Sequence, residues 1–224
     1  MVLLRRRGHT MRCLWGMPMT YRINEIFYTL QGEGHWTGRA AVFIRFSGCN
    51  LWTGQEQDRA SAICTFCDTD FTNYTEYETT GEVVQAVAEL LPDNAWDERT
   101  PMVVITGGEP MLQFDQPLAR ALLSMPMYVA IETNGTKPIP FFVDWVCVSP
   151  KTPTIKTGGD ELKLVYPQER IRPEMFDTTQ FDHAWLSPMD GPNLAENTAA
   201  AIDYVHENPR WRLNTQTHKI WGIK

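Results

Sequence analysis

Three cysteines in the first third of the chain have a spacing that could hold a metal centre. Cys64 and Cys67 form a Cys-x-x-Cys pair, and fourteen residues separate Cys49 from Cys64. The pair can put two thiolates on one centre, and Cys49 on a returning loop would complete a third corner. Five cysteines in 224 residues are too few, and odd in number, for a secreted disulfide framework. The sequence therefore predicts a reducing, cytoplasmic location.

Three chemistries remain open on spacing alone. A structural zinc site needs a fourth ligand, and the chain offers Cys13, Cys147 or a histidine such as His218. A redox dithiol would use the Cys-x-x-Cys pair alone and leave Cys49 unexplained. An iron–sulfur cluster held by three thiolates leaves one iron with an open position, which is useful if a ligand or substrate fills it.

A glycine-rich turn, which begins forty residues after Cys67, is a second candidate binding element. Gly107-Gly108-Glu109-Pro110 follows the predicted strand Met102 to Ile105. Glycines let backbone N–H and C=O groups approach a ligand closely, and the Glu109 carboxylate can pair with an ammonium group. An ordinary strand-to-helix connection is the alternative interpretation of this turn.

The elements that must position these residues indicate an α/β fold. Short apolar runs predict strands at Val42 to Phe46, Met102 to Ile105, Tyr128 to Ile131, Trp145 to Val148, Leu162 to Tyr166, Ala184 to Leu186 and Trp211 to Leu213. Apolar residues at three- and four-residue spacing predict helices at Val83 to Leu91, Pro117 to Leu123 and Leu194 to Val205. Alternating strands and helices imply a mostly parallel sheet. Because six or seven strands are too few for an eight-unit barrel, we expect an open, partial β/α barrel.

Polar clusters follow nearly every predicted strand. Glu132-Thr133-Asn134-Gly135, Ser149-Pro150-Lys151 and Ser187-Pro188-Met189-Asp190 are three of them. The carboxyl ends of parallel strands meet at one edge of a sheet, where α/β folds assemble their sites. We therefore predict one site at that edge.

Charge and hydropathy exclude several classes of function. Lys and Arg total 20 against 27 Asp and Glu, a formal net charge of -7, which disfavours a nucleic-acid partner. No apolar run is long enough for a membrane helix. Residues 1–20 carry four arginines and no acid, so we expect a basic arm or a misassigned start there, a short targeting segment being the alternative. One catalytic domain would occupy residues 21–224.

The cysteine trio followed by the Gly-Gly-Glu-Pro turn resembles the radical S-adenosylmethionine superfamily. Within it, the chain resembles the 7-carboxy-7-deazaguanine synthases of queuosine biosynthesis from about Tyr21 to its C-terminus. The matching segments are Phe27-Tyr28-Thr29-Leu30-Gln31-Gly32-Glu33-Gly34, Cys67-Asp68-Thr69, Glu132-Thr133-Asn134-Gly135, Ser149-Pro150-Lys151 and Thr217-His218-Lys219. One departure is the insertion Asn50 to Ile63, because the superfamily usually has only three residues between its first two cysteines. A minority of these synthases has a similar long loop.

The resemblance implies a lyase that converts 6-carboxy-5,6,7,8-tetrahydropterin to 7-carboxy-7-deazaguanine with release of ammonia. It implies a 4Fe–4S cluster, S-adenosylmethionine and Mg²⁺ as cofactors, a flavodoxin-like or other external reductant, and a homodimer. Neither nucleic acid nor a membrane is expected as a partner. Two alternatives remain: a radical activase that acts on a glycine of another protein, and a zinc-stapled binding module without catalysis.

The resemblance also implies which residues bind the cofactors. Cys49, Cys64 and Cys67 would hold the cluster, and Thr69 would bind Mg²⁺, with a turn or helix cap as its alternative role. The implied S-adenosylmethionine contacts are Phe66, Cys67, Asp68, Gly107, Gly108, Glu109, Ser149, Pro150, Lys151, Ser187, Pro188, Met189 and Asp190. For Lys151, a solvated surface charge is the alternative.

The implied substrate contacts are Leu30, Gln31, Gly32, Glu33, Arg45, Thr106, Glu132 and the C-terminal Lys224. Glu132 and His218 are the candidate catalytic residues. Because a carboxylate accepts from two neighbouring N–H donors, Glu33 and Glu132 would anchor an aminopyrimidine edge. The alternatives are ordinary buried salt bridges for both acids, a structural ion pair for Arg45 and a core position for His218.

Overall fold

A computed structural model describes residues 20–95 and 100–224 of the chain. The predicted basic arm therefore lies, except for Thr20, outside the described residues. In these two ranges no helix is both long enough and apolar enough to cross a membrane.

One mixed sheet of nine strands organises the described residues. In chain order the strands are β1 (Tyr21–Leu30), β2 (Ala40–Phe46), β3 (Thr75–Tyr77), β4 (Met102–Gly107), β5 (Tyr128–Thr133), β6 (Trp145–Val148), β7 (Glu161–Tyr166), β8 (His183–Pro188) and β9 (Arg212–Leu213). Across the sheet the order is β3-β1-β2-β4-β5-β6-β7-β8-β9. The sheet has β3 at one end and β9 at the other, so it is an open, partial barrel, as predicted.

All seven predicted strands are confirmed, and they form the parallel part of the sheet from β2 to β9. The antiparallel strands β1 and β3 are not predicted by the search for apolar runs. In β1, polar and charged residues such as Arg22 and Glu25 interrupt the apolar ones. An antiparallel strand with one partly solvated face has this composition, so β1 contains no continuous apolar run that would predict it.

Four α-helices lie within the described ranges: α1 (Thr80–Ala88), α2 (Gln116–Ser124), α3 (Leu194–Glu207) and α4 (Thr217–Trp221). The first three confirm the predicted helices. Thr79 accepts a hydrogen bond from the Glu82 amide, and Asp115 accepts one from the Leu118 amide. These caps satisfy donors that a helix start leaves free. The short α4 is not predicted, and it brings C-terminal residues to the cavity described below.

Helices α1 and α2 pack on one face of the sheet through buried aliphatic side chains. Val42 and Ile44 on β2 and Ile105 on β4 are fully buried in one cluster with Val83 on α1 and Leu118 on α2. A second cluster joins β7 and β8 to α3. Because side chains alternate across a strand, the residues between these core positions face the opposite side of the sheet. That side carries the cavity.

Candidate active site

A cavity of about 580 Å³ lies at the carboxyl ends of the parallel strands. Its walls come from the loops after β2, β4, β5, β6 and β8, from the inner face of the sheet, and from the C-terminal segment. Every residue that the sequence proposes for the site lines this cavity, except Glu109 and Pro150. The sheet therefore gathers motifs that are far apart in the sequence into one place, as expected for strand ends in an α/β fold.

The insertion between Cys49 and Cys64 folds into a compact loop rather than projecting into solvent. It contains the 3₁₀ helix Glu56–Ser61, and the Ile63 and Cys64 amides donate to the Leu51 carbonyl at 3.0 Å and 3.3 Å. These two hydrogen bonds close the loop. They bring Cys64 back to the wall that carries Cys49.

Arg59 fixes this loop against the Cys-x-x-Cys pair. Its Nη1 donates to the carbonyls of Thr65 at 3.1 Å and Cys67 at 3.0 Å. Its guanidinium lies 4.1 Å from the centroid of the Trp52 ring, and Trp52 packs edge-to-face on the buried Phe71. The insertion thus has a small core of its own, which holds the cysteine pair in place.

The three cysteines of the cavity are free thiols. A hydrogen bond from Cys64 is the largest cause that lowers the pKa of Cys67 to about 6, and the same contact, together with burial, raises the pKa of Cys64. Burial also raises the pKa of Cys49, whose sulfur accepts from the Leu51 amide at 3.4 Å. Metals bind the thiolate form, so each of the three thiols would lose its proton on binding a metal.

The glycine turn packs directly against the first cysteine. Gly107 has a φ of +144°, and a Cβ there would lie 2.3 Å from the Phe46 carbonyl oxygen. At Gly108 a Cβ would lie 2.3 Å from the Gly48 carbonyl oxygen and 2.8 Å from the Cys49 Cβ. Only glycine fits at these positions, and the backbone of the turn remains accessible to a ligand in the cavity.

The arrangement of the thiols fits a cluster. Within the described ranges, no three His, Cys, Asp or Glu side chains converge on one point, as a single metal ion would need. In an iron–sulfur cluster, thiolates bind separate irons and therefore surround a volume rather than a point. All three cysteines are free and line the same cavity, so the chemistry of these donors fits such a cluster.

Glu109 lies behind the cavity wall. Its fully buried carboxylate accepts from the Thr133 hydroxyl at 2.7 Å, from the Asn134 amide at 2.8 Å and from the Met111 amide at 3.0 Å. Burial raises its pKa, although these hydrogen bonds oppose the shift. The carboxylate therefore ties the loop after β4 to the loop after β5, and its contact with a ligand ammonium stays a prediction. Pro150 is likewise buried outside the cavity.

Lys151 is partly buried and lines the cavity. Its ammonium donates to the carbonyl and the hydroxyl of Ser149, both at 2.7 Å. Burial lowers its pKa, and the thiols of Cys64 and Cys67 oppose that shift. On the neighbouring wall, the hydroxyl of the buried Ser187 accepts from the amide side chain of Asn214 at 2.8 Å.

Another part of the cavity holds an acid–lysine network. Lys163 Nζ lies 2.7 Å from Glu33 Oε2 and 3.3 Å from Glu132 Oε1. Gln216 Nε2 donates to Glu33 at 2.9 Å, and Gln31 Nε2 donates to Glu132 at 3.0 Å. The two acids are thus ion-paired, which was the alternative interpretation, and they also line the cavity.

Lys163 is the main residue of this network that sequence reasoning does not find. It lies inside the apolar run that predicts β7, between Leu162 and Leu164, which are both buried in the core. Alternation along a strand would have placed this lysine on the opposite face, toward the cavity. A charged residue in the middle of a predicted buried strand is therefore the sequence feature that indicates a lysine in the cavity.

Arg45 forms an ion pair and lines the cavity as well. Its Nε lies 3.0 Å from Glu25, and Lys224 Nζ lies 2.7 Å from the other oxygen of the same carboxylate. Burial would raise the pKa of Glu25, but the two cations outweigh it and lower that pKa. The Thr29 hydroxyl donates to a main-chain oxygen of Lys224 at 3.0 Å, and Lys224 lines the cavity.

The C-terminal helix α4 supplies two further residues of the site. His218 lines the cavity and packs over Gly32, where a Cβ would lie 2.3 Å from the His218 Nδ1. His218 is only partly buried, so it does not occupy a core position. Lys219 reaches Asp68 and Asp190 at the cavity mouth. Thr69 lies beside Asp68 on the cavity wall.

Proteins of known name resemble the chain over nearly its whole length. Two curated relatives called 7-carboxy-7-deazaguanine synthase, from Caulobacter vibrioides and Bordetella pertussis, are each 51% identical to it, over 92% of this chain and 100% of the relative. The crystal structure of QueE from Escherichia coli has a TM-score of 0.61 and 25% identity, covering 88% of this chain and 94% of that one. No protein-family model matches. The identities and the coverage show that the chain belongs to the 7-carboxy-7-deazaguanine synthase family.

Proposed function

We propose that the chain is a 7-carboxy-7-deazaguanine synthase, a lyase that converts 6-carboxy-5,6,7,8-tetrahydropterin to 7-carboxy-7-deazaguanine with release of ammonia. One observation carries the proposal: a single cavity joins three free cysteines to a group of ion-paired acids and cations. Identity of about one half to relatives of that name supports the same reaction. The enzyme would work in the reducing cytoplasm, where free thiols persist.

Cys49, Cys64 and Cys67 would hold a 4Fe–4S cluster with one open iron. When bound, the cluster and S-adenosylmethionine supply the one-electron chemistry that removes a hydrogen atom from the substrate. An external reductant, flavodoxin-like or other, would provide the electron, and a homodimer is the proposed assembly.

Residues around the cysteines would hold S-adenosylmethionine. The backbone of Gly107 and Gly108 offers hydrogen-bonding groups at close range, since no side chain fits there. The Lys151 ammonium provides a positive charge on the same wall, suited to a ligand carboxylate. The remaining proposed contacts that line the cavity are Phe66, Cys67, Asp68, Ser149 and the turn from Ser187 to Asp190. Glu109 and Pro150, which lie behind the cavity wall, complete the proposed set.

The Thr69 hydroxyl would bind Mg²⁺. Mg²⁺ takes one or two protein oxygens and keeps positions for waters and substrate oxygens. Thr69 offers a neutral oxygen on the cavity wall, next to the carboxylate of Asp68. A carboxylate on the substrate could complete the coordination.

The charges of the cavity suit a small carboxylated pterin. Arg45 and Lys224 can neutralise the substrate carboxylate, while Glu33 and Glu132 can accept from its aminopyrimidine N–H groups. Loss of ammonia requires a proton at the departing nitrogen. The imidazole of His218 lines the same cavity and is the proposed general acid for this step.

A turnover assay tests this function. Anaerobically reconstituted, chemically reduced protein is incubated with S-adenosylmethionine and 6-carboxy-5,6,7,8-tetrahydropterin, and the products are identified by mass spectrometry. We expect 7-carboxy-7-deazaguanine and ammonia in equal amounts, with S-adenosylmethionine regenerated. Protein with a full cluster that leaves the pterin unchanged would rule the proposal out, and hydrogen abstraction from a glycine of another protein would favour the activase alternative.

A further inference from the structure

A buried lysine joins the two acids of the cavity. Lys163 lies in the middle of β7, and its side chain is only 7% exposed. Glu33 lies in the connection between β1 and β2, and Glu132 lies near the end of β5. The ammonium is 2.7 Å from one acid and 3.3 Å from the other. The contacts are therefore tertiary, and they fix three separate segments relative to one another.

Among the described residues, the hydrogen bonds and ion pairs of the two acids leave one carboxylate oxygen without a donor. Glu33 uses both oxygens, one for Gln216 and one for Lys163. Glu132 uses only Oε1, which faces Gln31 and Lys163. Within the described ranges, no hydrogen bond uses the second oxygen of Glu132, and this side chain lines the cavity with 23% of its surface exposed. One carboxylate oxygen is thus available to a ligand N–H group.

The lysine also controls the charge of the acids. Two neighbouring carboxylates in a buried place repel each other, which raises the pKa of at least one of them. Burial alone would raise the pKa of Glu33, but the Lys163 ammonium outweighs it, and that pKa is lowered to about 2. Burial would in turn lower the pKa of Lys163, but Glu132 and Glu33 hold it well above its usual value. Glu33 and Lys163 therefore keep each other ionised.

We propose that Lys163 is a positioning residue of the substrate site, which holds Glu33 and Glu132 side by side through its two ion pairs and presents one Glu132 oxygen to the N–H donors of an aminopyrimidine. Lys163 acts through the two carboxylates that its ammonium contacts. The identity of the ligand rests on the proposed function, whereas the ion pairs do not depend on it.

The variant Lys163→Met tests this role, because methionine has a similar length and no charge. We expect the KM for the carboxypterin to rise at least tenfold with a smaller change in kcat. The Kd of S-adenosylmethionine should stay within twofold. A carboxylic-acid C=O band should also appear in the infrared spectrum at neutral pH, because one of the two acids takes up a proton.

The pH profile gives an independent readout. In the wild type Glu33 is ionised throughout the working range, so kcat/KM should not fall with this group's protonation. In Lys163→Met we expect one of the two acids, Glu33 or Glu132, to have a raised pKa. The value of kcat/KM should therefore fall as the pH is lowered through neutrality and recover as the pH is raised. Lys163→Arg, which keeps the charge, should restore most of the affinity and remove the infrared band.

Lys156→Met is the matched control, since Lys156 is exposed and lies outside the cavity. It should change none of these quantities. The proposal is overturned if Lys163→Met keeps the wild-type KM and shows no carboxylic-acid band, or if it loses affinity for both ligands equally. If the wild type itself does not bind the pterin, the proposed function fails, while the infrared band still decides the role of Lys163.

A double variant covers the case in which Lys163→Met does not fold. Lys163→Met/Glu33→Gln removes one charge of each sign and leaves Glu132 without its lysine. We expect its KM for the pterin to exceed that of Glu33→Gln alone by about fivefold. Equal KM values for the two variants would contradict the positioning role.

Discussion

Lys219 Nζ lies 2.6 Å from Asp68 Oδ2 and joins the C-terminal helix α4 to the loop that carries Cys64 and Cys67. The same ammonium lies 2.5 Å from Asp190 Oδ2, in the turn after β8. One lysine thus connects three segments at the mouth of the cavity. Both aspartates are proposed contacts of S-adenosylmethionine, and Lys219 holds their carboxylates near each other.

We expect Lys219→Met to weaken S-adenosylmethionine binding by about fivefold, equivalent to about 1 kcal/mol, because both aspartates lose their common partner. The free energy of unfolding should change by less than about 1 kcal/mol, since exposed ion pairs contribute little to stability. Here the lysine is 37% exposed, and the aspartates are 54% and 41% exposed. Calorimetric titration and urea unfolding measure the two effects, with Lys156→Met as the control. Unchanged affinity would show that the bridge does not order the mouth.

Gly108→Ala should disturb the cluster site. Its Cβ would meet the Gly48 carbonyl and the Cys49 side chain, so the first cysteine must shift. We expect a loss of about 1–3 kcal/mol in the free energy of unfolding, as for other overpacked sites, together with a lower iron content after reconstitution. Gly158→Ala is the matched control, because a Cβ at Gly158 has nothing within 4 Å. Wild-type iron content in Gly108→Ala would contradict the proposed contact between the turn and the cluster loop.

Glu132→Gln should weaken the binding of the pterin but not the binding of S-adenosylmethionine. The amide keeps the shape of the side chain but loses the charge and one acceptor, so we expect pterin affinity to fall at least tenfold. S-adenosylmethionine affinity should stay within twofold, because its proposed contacts lie around the cysteines. Calorimetry with each ligand is the measurement, and the exposed Glu169→Gln is the control. A loss confined to S-adenosylmethionine would reverse our assignment of the two parts of the cavity.

The decrease in the free energy of unfolding at low pH should depend on Glu33. Its pKa falls from an ordinary 4.5 to about 2, because Lys163 outweighs burial. A group whose pKa is lowered on folding stabilises the protein above its unfolded pKa, and this contribution disappears as the pH falls through the folded value. Unfolding free energies measured between pH 5 and pH 2 should therefore fall less steeply in Glu33→Gln than in the wild type. Parallel curves would show that the ion pair does not couple to folding.

The parallel strands and three helices are predictable because burial on both faces requires continuous apolar runs, and Thr79 and Asp115 mark helix starts by capping. The location of the site follows from topology, since the motifs after β2, β4, β5, β6 and β8 must converge. β1 remains unpredicted because its solvated face carries polar residues.

The hydrogen-bond and ion-pair partners of a side chain are less predictable from the sequence than the place of its residue in the fold. Whether Glu109 faces a ligand or the protein depends on the loop after β5, whose Thr133 and Asn134 occupy its carboxylate. The pairing of Lys163 with Glu33 depends on a register between distant segments that no local pattern reveals. The conformation of the insertion depends on Arg59, which caps carbonyls beyond the insertion itself.

The most direct test of the central claim is the iron, sulfide and zinc content of anaerobically reconstituted protein. We predict about four iron and four sulfide per chain in the wild type and in Cys147→Ala, whose buried cysteine does not line the cavity. Cys64→Ala should lose the cluster while keeping its fold, because the core strands lie elsewhere. One zinc without iron in the wild type, or full iron in Cys64→Ala, would contradict the account.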